Sequence, residues 1–335
     1  MKIAILGAGS IGCYLGGALL ASGADVVLIG RQRMADRIAR YGLMLSDLHG
    51  RSVTLQADQV QYTQDATSLA GRQLILVTVK SADTAEAAKA IRQFADPDAI
   101  IISFQNGIGN AETLRQHLPG RTVLAGIVPF NVVHLPEGRL HRGTDGELMV
   151  EDAPALQPWL DTFQSAHLSV ALQNDIVSVQ WGKLLLNLNN SVNALSGLPL
   201  KQELSQRAYR RCLALMIAEA LQVLQAAGIR PAKVARVAAR YLPLLLILPD
   251  AIFKTIAASM LRIDPEARSS MWDDLQAERA TEIDFLNGAV VLLAAKLGRT
   301  APVNSHMMQL IHAAEQGAQK QWSGEALLAA LTKPV

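Results

Sequence analysis

Gly7, Gly9 and Gly12 follow directly on the apolar run Ile3-Ala4-Ile5-Leu6. A Gly-x-Gly-x-x-Gly spacing after a strand lets the backbone turn sharply and open into a helix whose first N–H groups have no intrahelical acceptor. Such a turn is a backbone cradle for a pyrophosphate, made here by Gly7, Gly9, Ser10, Ile11 and Gly12. Glycine-rich turns are common, so the context matters. The turn opens the sequence, a strand pattern precedes it, and a second strand pattern follows at Asp25–Ile29.

That second strand runs into Gly30-Arg31. Where this fold binds NAD, an acidic residue near this point takes the ribose hydroxyls. Arg31 offers instead a planar cationic fork suited to a 2′-phosphate, so the expected dinucleotide is NADP(H), with Arg33 able to share the role. The plain alternative is an arginine that merely faces solvent.

With 335 residues, the length prior is about two domains. Half of the residues are hydrophobic and 18% are charged, which places the chain among globular proteins rather than disordered ones. A net charge of +2, from 31 basic and 29 acidic residues, gives no reason to expect a nucleic-acid partner. Cys13 and Cys212 are too few for a disulfide framework or a cysteine-based metal site; they read as small buried thiols in a reducing compartment. His134, His141, His306 and His312 lack neighbours that would complete a ligand set, and no metal is expected. Glycines interrupt the apolar 3–24 stretch, and Pro243, Pro249, Asp250 and Lys254 interrupt 241–260, so neither suits a signal peptide or a bilayer span. The expectation is a soluble cytoplasmic protein without a membrane partner.

Apolar strand runs at 3–6, 26–29, 74–79, 100–103 and 123–127 alternate with helical patterns at 10–22, 84–94 and 110–118. Continuous apolar strands are those of a parallel sheet covered on both faces, and the alternation implies a doubly wound α/β architecture. Short strand patterns at 131–134, 140–142 and 147–150 suggest an antiparallel extension of that sheet. A helix over 154–166 and a strand over 169–173 complete the pattern. Beyond about 176 only helical patterns remain: 176–195, 204–227, 233–242, 250–262, 267–279, 281–297 and 303–317. The fold expected is therefore a Rossmann-type doubly wound sheet over 1–174, followed by an all-α domain over 175–335. In such proteins the substrate lies between the two domains, at the carboxyl ends of the strands.

Lys80 closes the 74–79 strand and Asn106 follows the 100–103 strand, so both fall at that edge. Either could equally be an ordinary loop residue. Lys183, Asn187 and Asn190 stand at i, i+4 and i+7 of a helical pattern, a polar stripe among Leu184, Leu185, Leu188, Val192 and Leu195. Helical lysines usually face solvent. One lining a cleft among leucines would have its ammonium form disfavoured, which suits a proton donor near neutral pH. Ser270 and Glu282 are twelve positions apart, about 18 Å along a straight helix, too far to meet on one small substrate. Thr281 with Asp284 resembles a capping box, so a new helix beginning at Thr281 would break the path. Read alone, Glu282 is a first-turn carboxylate favoured by the helix dipole.

Together these segments resemble the ketopantoate reductase family. The resemblance rests on Gly7-x-Gly9-x-x-Gly12, Arg31, Val77-Thr78-Val79-Lys80, Gln105-Asn106-Gly107, Trp181-x-Lys183-Leu184, Asn187, Ser270-Met271-x-x-Asp274, and Thr281-Glu282-Ile283-Asp284-x-x-Asn287-Gly288, in family order over 1–288. It implies NADPH-dependent reduction of 2-dehydropantoate to pantoate, on the route to pantothenate and coenzyme A. It further implies that Lys183 is the general acid and that Glu282 holds the substrate hydroxyl. Ser270, Asn187 and Asn190 would bind polar groups of the keto acid, while Lys80 and Asn106 orient cofactor and substrate. Arg31 would take the 2′-phosphate.

The sequence also departs from the family pattern. Ile127-Val128-Pro129-Phe130-Asn131 stands where a threonine-rich turn is common. Ser191 stands where a second asparagine is expected, with Asn190 and Asn193 as substitutes nearby. Ala277-Glu278-Arg279-Ala280 replaces a turn that often contains glycine. The apolar 241–260 segment is suited to covering a site or to packing in a homodimer formed through the helical domain. These departures leave the reductase class intact and bear on the substrate, for which another branched or bulky 2-oxo acid is the alternative. A non-catalytic NADP-binding sensor is the alternative from a different class.

Overall fold

The apolar runs of the N-terminal half form strands that are almost wholly removed from solvent, as in Ile3, Ala4 and Ile5 or Leu74 through Val77. The computed structural model describes residues 1–233, 237–256 and 266–333. The chain divides into two compact units, Met1–Ile176 and Val177–Val335.

The first unit carries twelve strands among its elements. They are β1 (Lys2–Leu6), β2 (Asp25–Ile29), β3 (Leu43–Asp47), β4 (Ser52–Leu55), β5 (Gln61–Thr63), β6 (Leu74–Val77), β7 (Ile100–Ser103), β8 (Val123–Ile127), β9 (Val132–His134), β10 (Arg139–Arg142), β11 (Leu148–Glu151) and β12 (Val170–Gln173). Between them lie α1 (Ser10–Ala21), α2 (Gln32–Tyr41), α3 (Thr84–Phe94), α4 (Asn110–His117) and α5 (Leu160–Ser165). The main sheet runs β12-β11-β8-β7-β6-β1-β2-β5, with the six strands from β8 to β5 mutually parallel. This is the dinucleotide-fold order, whose topological switch point lies between β1 and β6.

The expected antiparallel extension is realised only in part. β11 pairs antiparallel with β8, setting Met149 opposite Ile127. β9 and β10 instead join β3 and β4 in a separate four-stranded sheet, where β10 runs parallel to β3 with Leu140 opposite Leu45. These strands have one apolar face each, fit for a half-covered sheet but not for one buried on both sides. The helix expected over 154–166 is a 3-10 turn, Pro154–Trp159, running into α5. Pro158 lacks the N–H that an α-helix would need there.

The second unit contains α7 (Asn189–Ser196), α8 (Leu200–Leu204), α9 (Arg207–Ala226), α10 (Leu242–Leu246), α11 (Asp250–Ile256), α12 (Ser270–Gln276), α13 (Ile283–Lys296), α14 (Pro302–Glu315) and α15 (Gly324–Thr332), preceded by α6 (Ile176–Asn187). α9 is the hub, packed by α7, α8, α10, α13, α14 and α15. The helix expected over 233–242 is absent as such: the described part holds a 3-10 turn, Ala239–Tyr241, leading into α10, and 234–236 lie outside the described residues. Of the 241–260 segment, residues to Ile256 are described. They are fastened by the fully buried Arg210, whose Nη1 donates to the carbonyls of Leu246 and Leu248 at 3.1 and 3.0 Å, and whose Nη2 pairs with Asp250. The guanidinium also stacks 4.0 Å over the Phe253 ring.

Candidate active site

The three glycines of the turn have different reasons to be glycine. Gly7 has φ +106°, and a Cβ there would lie 2.3 Å from the Val79 nitrogen. A Cβ on Gly12 would lie 2.6 Å from Thr78 Oγ1 and 2.7 Å from the Gly7 oxygen. Thr78 Oγ1 itself donates to that Gly7 oxygen at 2.9 Å, tying the end of β6 to the turn after β1. Gly9 is under no such constraint: a Cβ there would meet only the Gly7 oxygen, at 4.0 Å. Gly9 is also the N-cap of α1 and has no side chain to cap it, and Ser10 Oγ is engaged with His134 Nε2 at 2.7 Å. Open room above an uncapped helix start fits a pyrophosphate.

Arg31 follows β2 and is held through its backbone, its carbonyl accepting from Tyr62 OH at 3.1 Å. Its side chain is 83% exposed, and Nη2 reaches Asp83 Oδ2 at 2.9 Å. Arg33 is exposed as well. Lys80 caps the short 3-10 turn Ser81–Asp83 that leads into α3. The Asn106 carbonyl accepts from Ser81 Oγ at 2.8 Å and from Asn110 Nδ2 at 2.6 Å. Beneath them runs a buried polar chain: Ser103 Oγ donates to Gln105 Oε1, Gln105 Nε2 donates to Thr84 Oγ1, and Thr84 Oγ1 lies 2.9 Å from Asn110 Oδ1. Sequence reading missed both this chain and Asp83. The polar run Gln105-Asn106-Gly107 and Ser81 were visible, but nothing local pairs them.

In the second unit, Lys183 and Asn187 stand one turn apart on α6, whereas Asn190 lies on α7. Leu188, at the join of the two helices, keeps helical dihedrals, φ −57° and ψ −25°, and its N–H bonds the Leu184 carbonyl at 3.0 Å, so the helical spacing of the stripe carries on into α7. Ser191 Oγ donates back to the Leu188 carbonyl at 2.9 Å. Lys183 is partly buried. Burial pushes its ammonium down to about 8, and the Glu282 charge works in the opposite direction. Asn187 and Asn190 are also partly buried. Ser191 and Asn193 are fully buried.

Ser270 is exposed at the first turn of α12, whose N-cap is Ser269. The break between Ser270 and Glu282 is present, but not as a capping box. α12 ends at Gln276, and Glu278 takes a left-handed conformation, φ +51°, where a glycine would be usual. The Arg279 N–H closes the turn on the Asp274 oxygen at 2.9 Å. α13 starts at Ile283 with Glu282 as its N-cap residue and without a side-chain cap. Thr281 N–H goes instead to Glu315 Oε1 at 2.8 Å and Asp284 Oδ1 faces His312 Nε2 at 3.0 Å, while Thr281 Oγ1 accepts the Ile283 N–H at 3.3 Å rather than that of Asp284.

Three of the four histidines named above have hydrogen-bond partners, which is a different matter from a metal-ligand set. Besides His134 with Ser10, His141 Nδ1 meets Ser46 Oγ at 2.9 Å, and His312 bridges Asp284 and Glu315. Among the described residues no group of three histidine, cysteine or carboxylate side chains could hold a metal ion, and no helix is long and apolar enough to cross a membrane.

The family model described as "Ketopantoate reductase PanE/ApbA" matches residues 3–155, and its C-terminal counterpart matches residues 175–315. The chain belongs to the ketopantoate reductase family. Within it, the 2-dehydropantoate 2-reductase of Pyrococcus horikoshii is 28% identical, covering 94% of this chain and 98% of its own. The enzyme of the same name from Halobacterium salinarum is 26% identical over 94% of this chain and 99% of its own. The crystal structure of a PanE/ApbA family ketopantoate reductase from Ralstonia eutropha superposes with a TM-score of 0.80 at 29% identity, covering 95% of this chain and 99% of that one. D-mandelate dehydrogenase with NADH and anilino(oxo)acetate shares the ketopantoate reductase fold at 20% identity, with a TM-score of 0.76 over 95% of this chain and 99% of its own.

Proposed function

We propose that this chain is an NADPH-dependent 2-dehydropantoate 2-reductase, acting in the cytoplasm on the route to pantothenate and coenzyme A. The observation that carries the reading is Lys183: a partly buried lysine drawn down to about 8, with the Glu282 charge acting on it, in a chain of this family. The names of the Pyrococcus and Halobacterium relatives support the substrate. The uncapped start of α1, the open room at Gly9 and the exposed fork of Arg31 support a phosphorylated dinucleotide.

When bound, NADPH supplies the hydride that reduces the ketone carbon. Lys183 Nζ gives a proton to the ketone oxygen, whose negative charge grows as the carbon is reduced. Glu282 holds the substrate hydroxyl. Ser270, Asn187 and Asn190 take the polar groups around the keto acid, and Asn106 and Lys80 orient the reactants. The backbone of Gly7, Gly9, Ser10, Ile11 and Gly12 receives the pyrophosphate, and Arg31 the 2′-phosphate. Residues 1–174 thus serve the cofactor, while 175–335 serve the keto acid and a homodimer contact. Exposed Tyr241, Leu244, Ile252 and Ile256 support that contact, as does the dimeric ketopantoate reductase of Staphylococcus aureus, which has the same fold.

The test is NADPH consumption by the purified protein with and without 2-dehydropantoate. Substrate-dependent consumption is expected, falling about a hundredfold or more in Lys183→Ala with NADPH affinity retained. Faster turnover of a different branched 2-oxo acid would move the substrate assignment. Cofactor binding without consumption on any 2-oxo acid would make the protein a sensor.

A further inference from the structure

We infer that Asn193 is a positioning residue for Ser270, holding the start of α12 on α7 through the Ser269 amide. The inference rests on the substrate-binding role given to Ser270 above. Asn193 is fully buried, and both ends of its amide are used. Oδ1 accepts the Ser269 N–H at 2.8 Å, while Nδ2 donates to the Leu198 carbonyl at 3.0 Å and lies 3.4 Å from Glu203 Oε2. Ser269, itself 5% exposed, adds a second tie. Its Oγ donates to the Asn190 carbonyl at 3.2 Å while accepting the Trp272 N–H at 3.2 Å. The residue before Ser270 is therefore fixed to α7 at Asn190 and Asn193, by side chain and by backbone.

Ser270 is exposed and opens α12, so the direction of its hydroxyl follows from where the Ser269 backbone is held. Asn193 is in turn braced from below. Glu203, fully buried, lies within reach of Asn193 Nδ2 and also accepts from Asn189 Nδ2 at 3.0 Å. Space in a helical core is filled at lower cost by apolar side chains, whereas buried amides and carboxyls must be matched bond by bond. Here the Asn193 amide is matched at both ends, while Glu203 Oε1 and Asn189 Oδ1 are not hydrogen-bonded among the described residues, so direction is fixed at Asn193. A slip of about 1 Å in a group that contacts substrate can cost up to a hundredfold in rate.

The paired variants Asn193→Leu and Asn189→Leu separate positioning from packing, because both remove an amide from beside Glu203 but only Asn193 reaches Ser269. In Asn193→Leu, hydrogen exchange at the Ser269 amide should accelerate about tenfold, the scale of one lost hydrogen bond. KM for 2-dehydropantoate should rise about tenfold, with Kd for NADPH unchanged. Asn189→Leu should leave Ser269 exchange and KM at wild-type values. Should Asn193→Leu fail to fold, Asn193→Ser is too short to reach the Ser269 amide and carries the same two readouts. Unchanged Ser269 exchange, or an equal rise in KM in the two leucine variants, would overturn the inference. If the wild-type protein does not reduce 2-dehydropantoate, the functional reading fails, while the exchange rate still decides whether Asn193 holds Ser269.

Discussion

The Glu282 charge opposes the effect of burial on Lys183: desolvation draws the ammonium down to about 8, and the carboxylate restrains the fall. The proposed proton donor must be protonated, so kcat/KM should decline as pH rises through about 8. Glu282→Gln leaves desolvation unopposed and lowers the Lys183 pKa further, moving that limb to lower pH. A pH–rate profile of the two proteins checks this, because the position of the limb is independent of any general loss of substrate affinity in the variant. A limb that stays in place or moves upward would separate Glu282 from Lys183.

The glycines of the turn predict two different failures. In Gly12→Ala the new methyl group would press on Thr78 Oγ1 and on the Gly7 oxygen, so the first unit should lose about 1–3 kcal/mol of stability. In Gly9→Ala the methyl group meets nothing closer than 4.0 Å, and thermal unfolding should change little. It would stand where a pyrophosphate approaches the start of α1, so NADPH affinity should fall at least about tenfold, the scale of one lost charge-assisted hydrogen bond. Calorimetric unfolding beside titration with NADPH distinguishes the two. Wild-type affinity in a folded Gly9→Ala protein would remove the turn from the cofactor site.

Arg31 and Asp83 form an exposed ion pair, which contributes little to stability, about 1 kcal/mol at most. Arg31→Ala should therefore unfold like the wild type. It should bind NADPH about ten- to a hundredfold more weakly, the loss of charged hydrogen bonds to a phosphate, with NADH binding unaffected. Asp83→Asn releases the fork and should tighten NADPH about twofold, again without effect on NADH. Equal changes for both dinucleotides would show that Arg31 does not read the 2′-phosphate.

What could be read from the sequence was whatever local pattern decides. β1, the glycine turn, α1 and β2 were legible because a continuous apolar strand and a glycine spacing need no distant partner. β3, β4 and β5 were not, since Leu43–Asp47 mixes polarity and becomes a strand only through pairing with β4 and β10. α15 does carry a local signal: Ser323 stands ahead of Gly324-Glu325-Ala326 and is an N-cap accepting the Ala326 N–H at 3.3 Å. The spacing of the polar stripe from Lys183 to Asn190 was legible because helical periodicity alone decides it, Leu188 at the join of α6 and α7 keeping helical dihedrals. The capping box at Thr281 failed in part for a tertiary reason, since Glu315 takes the Thr281 N–H and His312 the Asp284 carboxylate, while Thr281 Oγ1 accepts the Ile283 N–H. Asp83 as the partner of Arg31 lies fifty-two positions away, beyond any local rule.

Glu203 ties stability to pH. Burial pushes its carboxyl up from 4.5 to about 8, against the amides of Asn189 and Asn193, which favour the charged form. The neighbouring Tyr209 and Cys212 are themselves pushed upward, burial first and the Glu203 charge second, so they stay neutral over the same range. A carboxyl whose folded pKa lies above its unfolded value binds its proton more tightly when folded. Its contribution is complete below about 4.5 and is lost as pH rises through about 8. Glu203→Gln retains an acceptor for the Asn189 and Asn193 amides and has no proton to lose. Its unfolding temperature should fall less than that of the wild type between pH 5 and pH 9, so that the variant is the more stable protein at the alkaline end. Calorimetric unfolding of both proteins across that range measures the difference, and parallel curves would mean that Glu203 is already ionised in its buried site.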